Sequence, residues 1–186
     1  MSTNVESWVP GLGSRKDGGV ISVEVLPDAA TDALARAAWQ RLIDAGLPSA
    51  GRHTGESNRP HITVAVRDSP DLDKLADLAD LLPLTLRLGG VLLFPRSGQA
   101  VVSWQVIVTA PLAEFHRRVA AALGPADERY AHTAPDDWTP HVTMARRVRL
   151  ADLGAAVEAI DLSPHVGEVT GLRIWNATSR TVTTLR

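Results

Sequence analysis

From Gly19 to Leu26 apolar and polar residues alternate singly, with Ile21, Val23 and Val25 on one side and Ser22 and Glu24 on the other. That is the period of a half-buried strand. The period then lengthens. Ala35, Ala38, Trp39, Leu42 and Ile43 recur at helical spacing, with Asp28 or Thr31 as the expected cap and Gly46 as the stop. Apolar runs after Pro60 and Pro140 read as further strands, and Leu72, Leu75, Ala79 and Leu82 predict a second helix over residues 72–82. Residues 84–94 and 100–108 predict an antiparallel pair around a turn at Pro95-Arg96-Ser97-Gly98. A third helix is expected behind Thr109 with Pro111 in its first turn, carrying Leu112, Phe115, His116, Val119 and Leu123 and ending at Gly124. A short helix near residues 151–159 and strands near 166–176 and 181–185 complete the chain. The order strand-helix-strand-helix-strand occurs twice, plus one extra strand, which predicts an α+β protein with two similar lobes.

Two of these strands open in the same way. Arg59-Pro60-His61-Ile62-Thr63-Val64-Ala65 is matched by Thr139-Pro140-His141-Val142-Thr143-Met144-Ala145. Residues i and i+2 of a strand share a face, so His61 goes with Thr63 and His141 with Thr143, while Ile62, Val64, Val142 and Met144 point to the core. The approaches are also alike, with His53-Thr54 before the first copy and His132-Thr133 before the second. The pattern reads as an internal duplication. Two half-sites, each with an imidazole and a hydroxyl, suit acid/base chemistry on a phosphate: one histidine takes a proton, the other gives one, and the hydroxyls donate to phosphate oxygens.

Composition narrows the partners. The 186-residue chain carries a net charge of −2 without a block of like charges, which argues against a protein that grips long duplex nucleic acid. The absence of cysteine excludes thiolate catalysis and disulfides. Its six histidines show neither His-x-His nor helical ligand spacing, so neither a metal nor another cofactor is expected. The sequence lacks a secretory signal core and a long apolar run, so no membrane association and a cytoplasmic protein are expected; a monomer is expected as well. Residues 1–18, rich in Gly, Ser and charge, read as a loose leader in which Trp8 is a candidate to dock on the body. Residues 19–186 read as one bilobal domain.

The paired Pro-His-x-Thr segments resemble those of the 2H phosphoesterase superfamily, closest to the 2′-5′ RNA ligase-like proteins, also called RNA 2′,3′-cyclic phosphodiesterases. Outside the motifs the resemblance rests on element order from Gly19 to the C-terminus. It implies two antiparallel sheets flanking a central cleft, with helices outside and a pseudo-twofold between the lobes. It also implies hydrolysis of 2′,3′-cyclic phosphates on RNA ends or nucleotides, with His61 as proton donor and His141 as proton acceptor. The residues alone assign neither role, because the half-sites are symmetric.

Further candidates follow from position. Arg59 has the parity of His61 and faces a phosphate if the strand begins that early; Arg146 sits where the family often has a basic residue, but its parity with His141 is odd. Trp138 is a candidate to stack on a base. His53 and His132 lie in the approach loops, His116 on an apolar stripe, and His165 in a connection. Glu24, Ser103 and Gln105 occupy polar strand faces. Alternative readings keep the site and change the ligand, to a 2′-5′ phosphodiester, a cyclic oligonucleotide or a cyclic ADP-ribose phosphate, or replace catalysis by RNA or nucleotide binding.

Overall fold

Strand β1 (Val20–Pro27) leads into α1 (Ala29–Asp44), whose first turn is capped by Asp28: its side chain accepts from the Thr31 amide at 2.7 Å. The computed structural model describes residues 19–186 apart from 69, 71 and 162, so the expected leader over 1–18, with Trp8, lies outside the described residues. Gly46, at φ +72°, supplies the left-handed residue that stops α1. Strand β2 (Ile62–Asp68) carries the first motif. The helix expected over 72–82 is much shorter, a 3₁₀ turn at Asp73–Leu75 and one α turn, α2 (Ala76–Ala79). No side chain caps it, and it ends three residues before Leu82-Pro83, where a proline disfavours helical geometry in the residue before it.

Strands β3 (Leu84–Arg96) and β4 (Gln99–Val106) form a hairpin. Its turn is tighter than the four residues expected: only Ser97 and Gly98 lie outside the strands, both at positive φ, which is the twist-compatible two-residue turn. Helix α3 (Ala110–Leu123) starts behind Thr109 and stops at Gly124, at φ +76°. Strand β5 (His141–Arg149), helix α4 (Leu153–Ile160), β6 (His165–Asn176) and β7 (Thr181–Thr184) follow.

All seven strands join one antiparallel sheet in the order β2-β1-β6-β3-β4-β5, with β7 on β6. The order is a palindrome under the exchange β1 with β4, β2 with β5 and β3 with β6. The two sheets expected from the resemblance are therefore continuous, hydrogen-bonded at the centre where Leu84–Leu88 of β3 pairs with His165–Val169 of β6. One face buries Val23, Val25, Ile62, Val102, Val142 and Leu172 with Ala38 and Leu42 of α1 and Leu112 and Phe115 of α3 in a single core. The helices cross over: α1 packs on β5 as well as β1, and α3 packs on β2. That crossing draws the two outer strands, β2 and β5, toward each other.

Candidate active site

Each motif threonine pairs with a residue of the neighbouring strand. Thr63 lies opposite Glu24 of β1, and Thr143 opposite Ser103 of β4. Directly after each threonine the register slips. Val23 pairs with Ala65 and Val102 with Ala145, leaving Val64 and Met144 as extra residues. Both are β-bulges, at equivalent places in the two motifs, with Val64, Ala65, Met144 and Ala145 all fully buried.

The bulge corrects the parity expectation for Arg146. One extra residue flips the alternation, so Arg146 returns to the face of His141 and Thr143. There it lies within the electrostatic reach of Glu24, and burial pulls its guanidinium below its usual value. Among the described residues, no carboxylate lies within ion-pairing distance of Arg146 and no acceptor is hydrogen-bonded to it. Arg59 goes elsewhere. Strand β2 begins only at Ile62, so strand parity does not reach back to it, and its guanidinium approaches Asp32 of α1 at 3.4 Å. Its main chain serves the site instead.

The histidines are held alike. His61 Nδ1 lies 2.7 Å from the Arg59 carbonyl oxygen, and His141 Nδ1 lies 2.8 Å from that of Thr139. A carbonyl only accepts, so in both rings Nδ1 carries the hydrogen and Nε2 is left for chemistry. Burial is the main influence that lowers the His141 imidazole from its ordinary value; the Thr139 bond acts against it, and the charges of His61, Arg146 and His132 act with it. The two motif histidines are thus close enough to feel each other, and His132 stands near His141. Phe94 of β3 packs on the His141 ring at a centroid distance of 4.8 Å.

Two tryptophans tie the half-sites together. Trp39 Nε1 on α1 donates to the Thr143 carbonyl at 3.0 Å, and Trp138 Nε1 donates to the Thr63 carbonyl at 2.9 Å. Trp138 also stacks on buried His116, with 4.1 Å between ring centroids and 7° between planes. One face of this candidate base-stacking ring is therefore occupied by a histidine, and its N–H by the opposite half-site. His116 is the core histidine its stripe implied; its Nε2–H donates to the Thr133 carbonyl at 3.1 Å. His165 Nε2 lies 2.9 Å from the Thr31 hydroxyl at the start of α1, and His53 is exposed.

Sequence reading missed Arg173. On β6 opposite Glu24, it places Nε and Nη2 each 2.8 Å from Glu24 Oε2, and Nη1 donates to the Ser57 carbonyl in the loop before the first motif. Its only signal was a charge set within an apolar run, Leu172-Arg173-Ile174-Trp175. The other carboxylate oxygen of Glu24, Oε1, lies 3.7 Å from His61 Nε2. Ser103 and Gln105 sit in register with Thr143 and His141; Ser103 is fully buried. Among the described residues no group of three or more His, Asp or Glu is placed to hold a metal ion, and no helix is long and apolar enough to cross a membrane.

Comparison with known proteins agrees with this architecture. The family model described as the 2′-5′ RNA ligase superfamily matches residues 72–180, a stretch that holds the second half-site. A solved structure of TT0787 from Thermus thermophilus superposes with a TM-score of 0.52 at 19% identity, covering 90% of this chain and 95% of that one. LigT of E. coli in its apo form superposes with a TM-score of 0.50 at 16% identity, covering 92% and 96%. At these identities the likeness is one of fold. No curated protein sequence matches the chain significantly. The family match spans more than half of the 186 residues, and this chain belongs to the 2′-5′ RNA ligase superfamily, the 2H phosphoesterases.

Proposed function

We propose that the protein hydrolyses 2′,3′-cyclic phosphates on RNA ends or nucleotides by two-histidine acid/base catalysis that needs no metal. The observation that carries this reading is the matched pair of Nδ1–H bonds to main-chain carbonyls, which leaves one Nε2 per half-site as the reacting nitrogen. Water attacks phosphorus while His141 Nε2 takes its proton. The bond from phosphorus to the ribose 3′ oxygen breaks, and that oxygen takes the proton from His61 Nε2. The product is a 2′-phosphate, and solvent resets both rings. The Thr63 and Thr143 hydroxyls donate to the non-bridging oxygens, and Arg146 offsets their charge. With a 5′ hydroxyl in place of the attacking water, the same step opens the cyclic phosphate to a 2′-5′ phosphodiester: the bond from phosphorus to the 5′ oxygen forms as the bond to the 3′ oxygen breaks, and the 3′ oxygen again takes its proton from His61.

The test is incubation with a 2′,3′-cyclic nucleotide in EDTA, with the product read by phosphorus NMR. Turnover to a 2′-phosphate is expected, falling at least about 10²-fold in His61→Ala and in His141→Ala. Thr63→Ala and Thr143→Ala should each lose less, one hydrogen bond rather than a proton transfer. A 3′-phosphate would reverse the leaving group, and full activity in the double histidine variant would remove the mechanism.

A further inference from the structure

The sheet is palindromic, but the site built on it is not. The exchange that maps β1 onto β4 maps Glu24 onto Ser103, since each faces the motif threonine of its own half. It also maps Arg173, opposite Glu24, onto Leu92, opposite Ser103. A buried carboxylate and guanidinium thus stand beside one histidine, and a serine and a leucine beside the other. Glu24 is 4% exposed and Arg173 also 4%. A buried ion pair of this kind is weak as a source of stability, so its position asks for another reason.

We propose that Glu24 is a positioning residue that makes the two half-sites chemically unequal, holding the catalytic proton on His61 and so fixing His61 as the acid and His141 as the base. This rests on the cyclic-phosphate reading above. The geometry fits the task. Arg173 grips Oε2 with two nitrogens and pins the carboxylate, while Oε1 is turned toward His61 Nε2 at 3.7 Å. That separation is beyond a hydrogen bond but within strong Coulomb range. At that range the carboxylate faces Nε2 without bonding to it, which leaves the Nε2 proton available to the leaving oxygen. Glu24 on β1 faces His61 directly and His141 on β5 feels its charge, while Arg173 on β6 holds Glu24 and Arg146 on β5 lies within electrostatic reach of Glu24 and His141. Glu24 is the one anion among these described groups. His141 has no carboxylate in the equivalent place; its neighbours are Arg146, His61 and His132, all cationic or able to become so.

Nitrogen NMR of the two imidazoles across the neutral pH range tests this with or without turnover. In the unaltered protein His61 should keep protons on both ring nitrogens to higher pH than His141. In Glu24→Gln that difference should shrink by about ten-fold in proton affinity, one unit. The alkaline limb of kcat should then move to lower pH, with kcat down about ten-fold and KM within about two-fold. Glu24→Asp, which keeps the charge, should restore most of the limb. An unchanged His61 protonation curve in Glu24→Gln, or a His141 that holds its second proton to higher pH than His61 in the unaltered protein, overturns the proposal. The latter comparison decides the matter even if Glu24→Gln fails to fold. A protein that shows the predicted His61 behaviour but turns over no cyclic phosphate would fault the substrate reading and leave the role of Glu24 standing.

Discussion

Burial lowers the His141 imidazole, and that has a signed consequence for rate. In the proposed reaction His141 is the general base, and a general base must be neutral. An imidazole whose proton affinity is reduced stays neutral further into acid than an exposed histidine near 6.5. The acid limb of the kcat/KM profile should therefore fall below about 6.5, with activity lost as pH drops through the lowered His141 value. Removing nearby positive charge should move that limb back up. Arg146→Met does this, and it has a second effect. A half-buried guanidinium that bonds no acceptor among the described residues is placed to meet an anion, and hydrogen bonds to charged groups are worth about 1.5–3 kcal/mol. The variant should raise KM for a cyclic nucleotide roughly ten- to hundred-fold. It should not destabilise the free protein, because a desolvated cation is replaced by an apolar chain of similar length. Loss of stability with unchanged KM would assign Arg146 to the scaffold.

At the scale of elements, the two Trp-to-carbonyl bonds set how β2 and β5 sit relative to each other. Trp39→Phe and Trp138→Phe should each lower unfolding free energy by at least about 1 kcal/mol, the worth of one hydrogen bond. Each should also reduce kcat, because the carbonyl released belongs to a motif threonine; urea unfolding and steady-state rates check both. The motifs, the helix caps and most strands were legible because they depend on local chemistry: a proline before a strand, Asp28 and Thr109 before helices, Gly46 and Gly124 after them. What escaped was set by pairing between distant strands. The bulges at Val64 and Met144 exist only against β1 and β4, so alternation counted along β5 alone put Arg146 on the wrong face. Arg173 finds Glu24 across 149 residues of sequence, a contact no local period announces. Trp138 packs, but its partners, His116 and Thr63, come from α3 and β2 and could not be named from its loop. The second helix failed for the opposite reason, since its apolar spacing was right but a cap and length were missing.

At the scale of the whole molecule, the palindromic strand order interleaves the chain with itself. Strand β3 belongs to the first half of the sequence, yet it is wedged between β4 and β6 of the second; β6 in turn is wedged between β1 and β3 of the first. Neither half therefore owns a complete sheet. A backbone break at the exposed Ser97-Gly98 turn would cut the covalent link and leave the hydrogen-bonded weave intact. Residues 1–97 and 98–186, produced together as separate polypeptides, should reassemble and co-purify as a one-to-one complex with a working site. Each alone should expose an unpaired strand and aggregate. Co-purification without activity would mean that the turn itself holds the half-sites in register. Independent, soluble folding of either piece would mean that the weave is dispensable. The active site would then be a property of complementation, with one histidine delivered by each polypeptide.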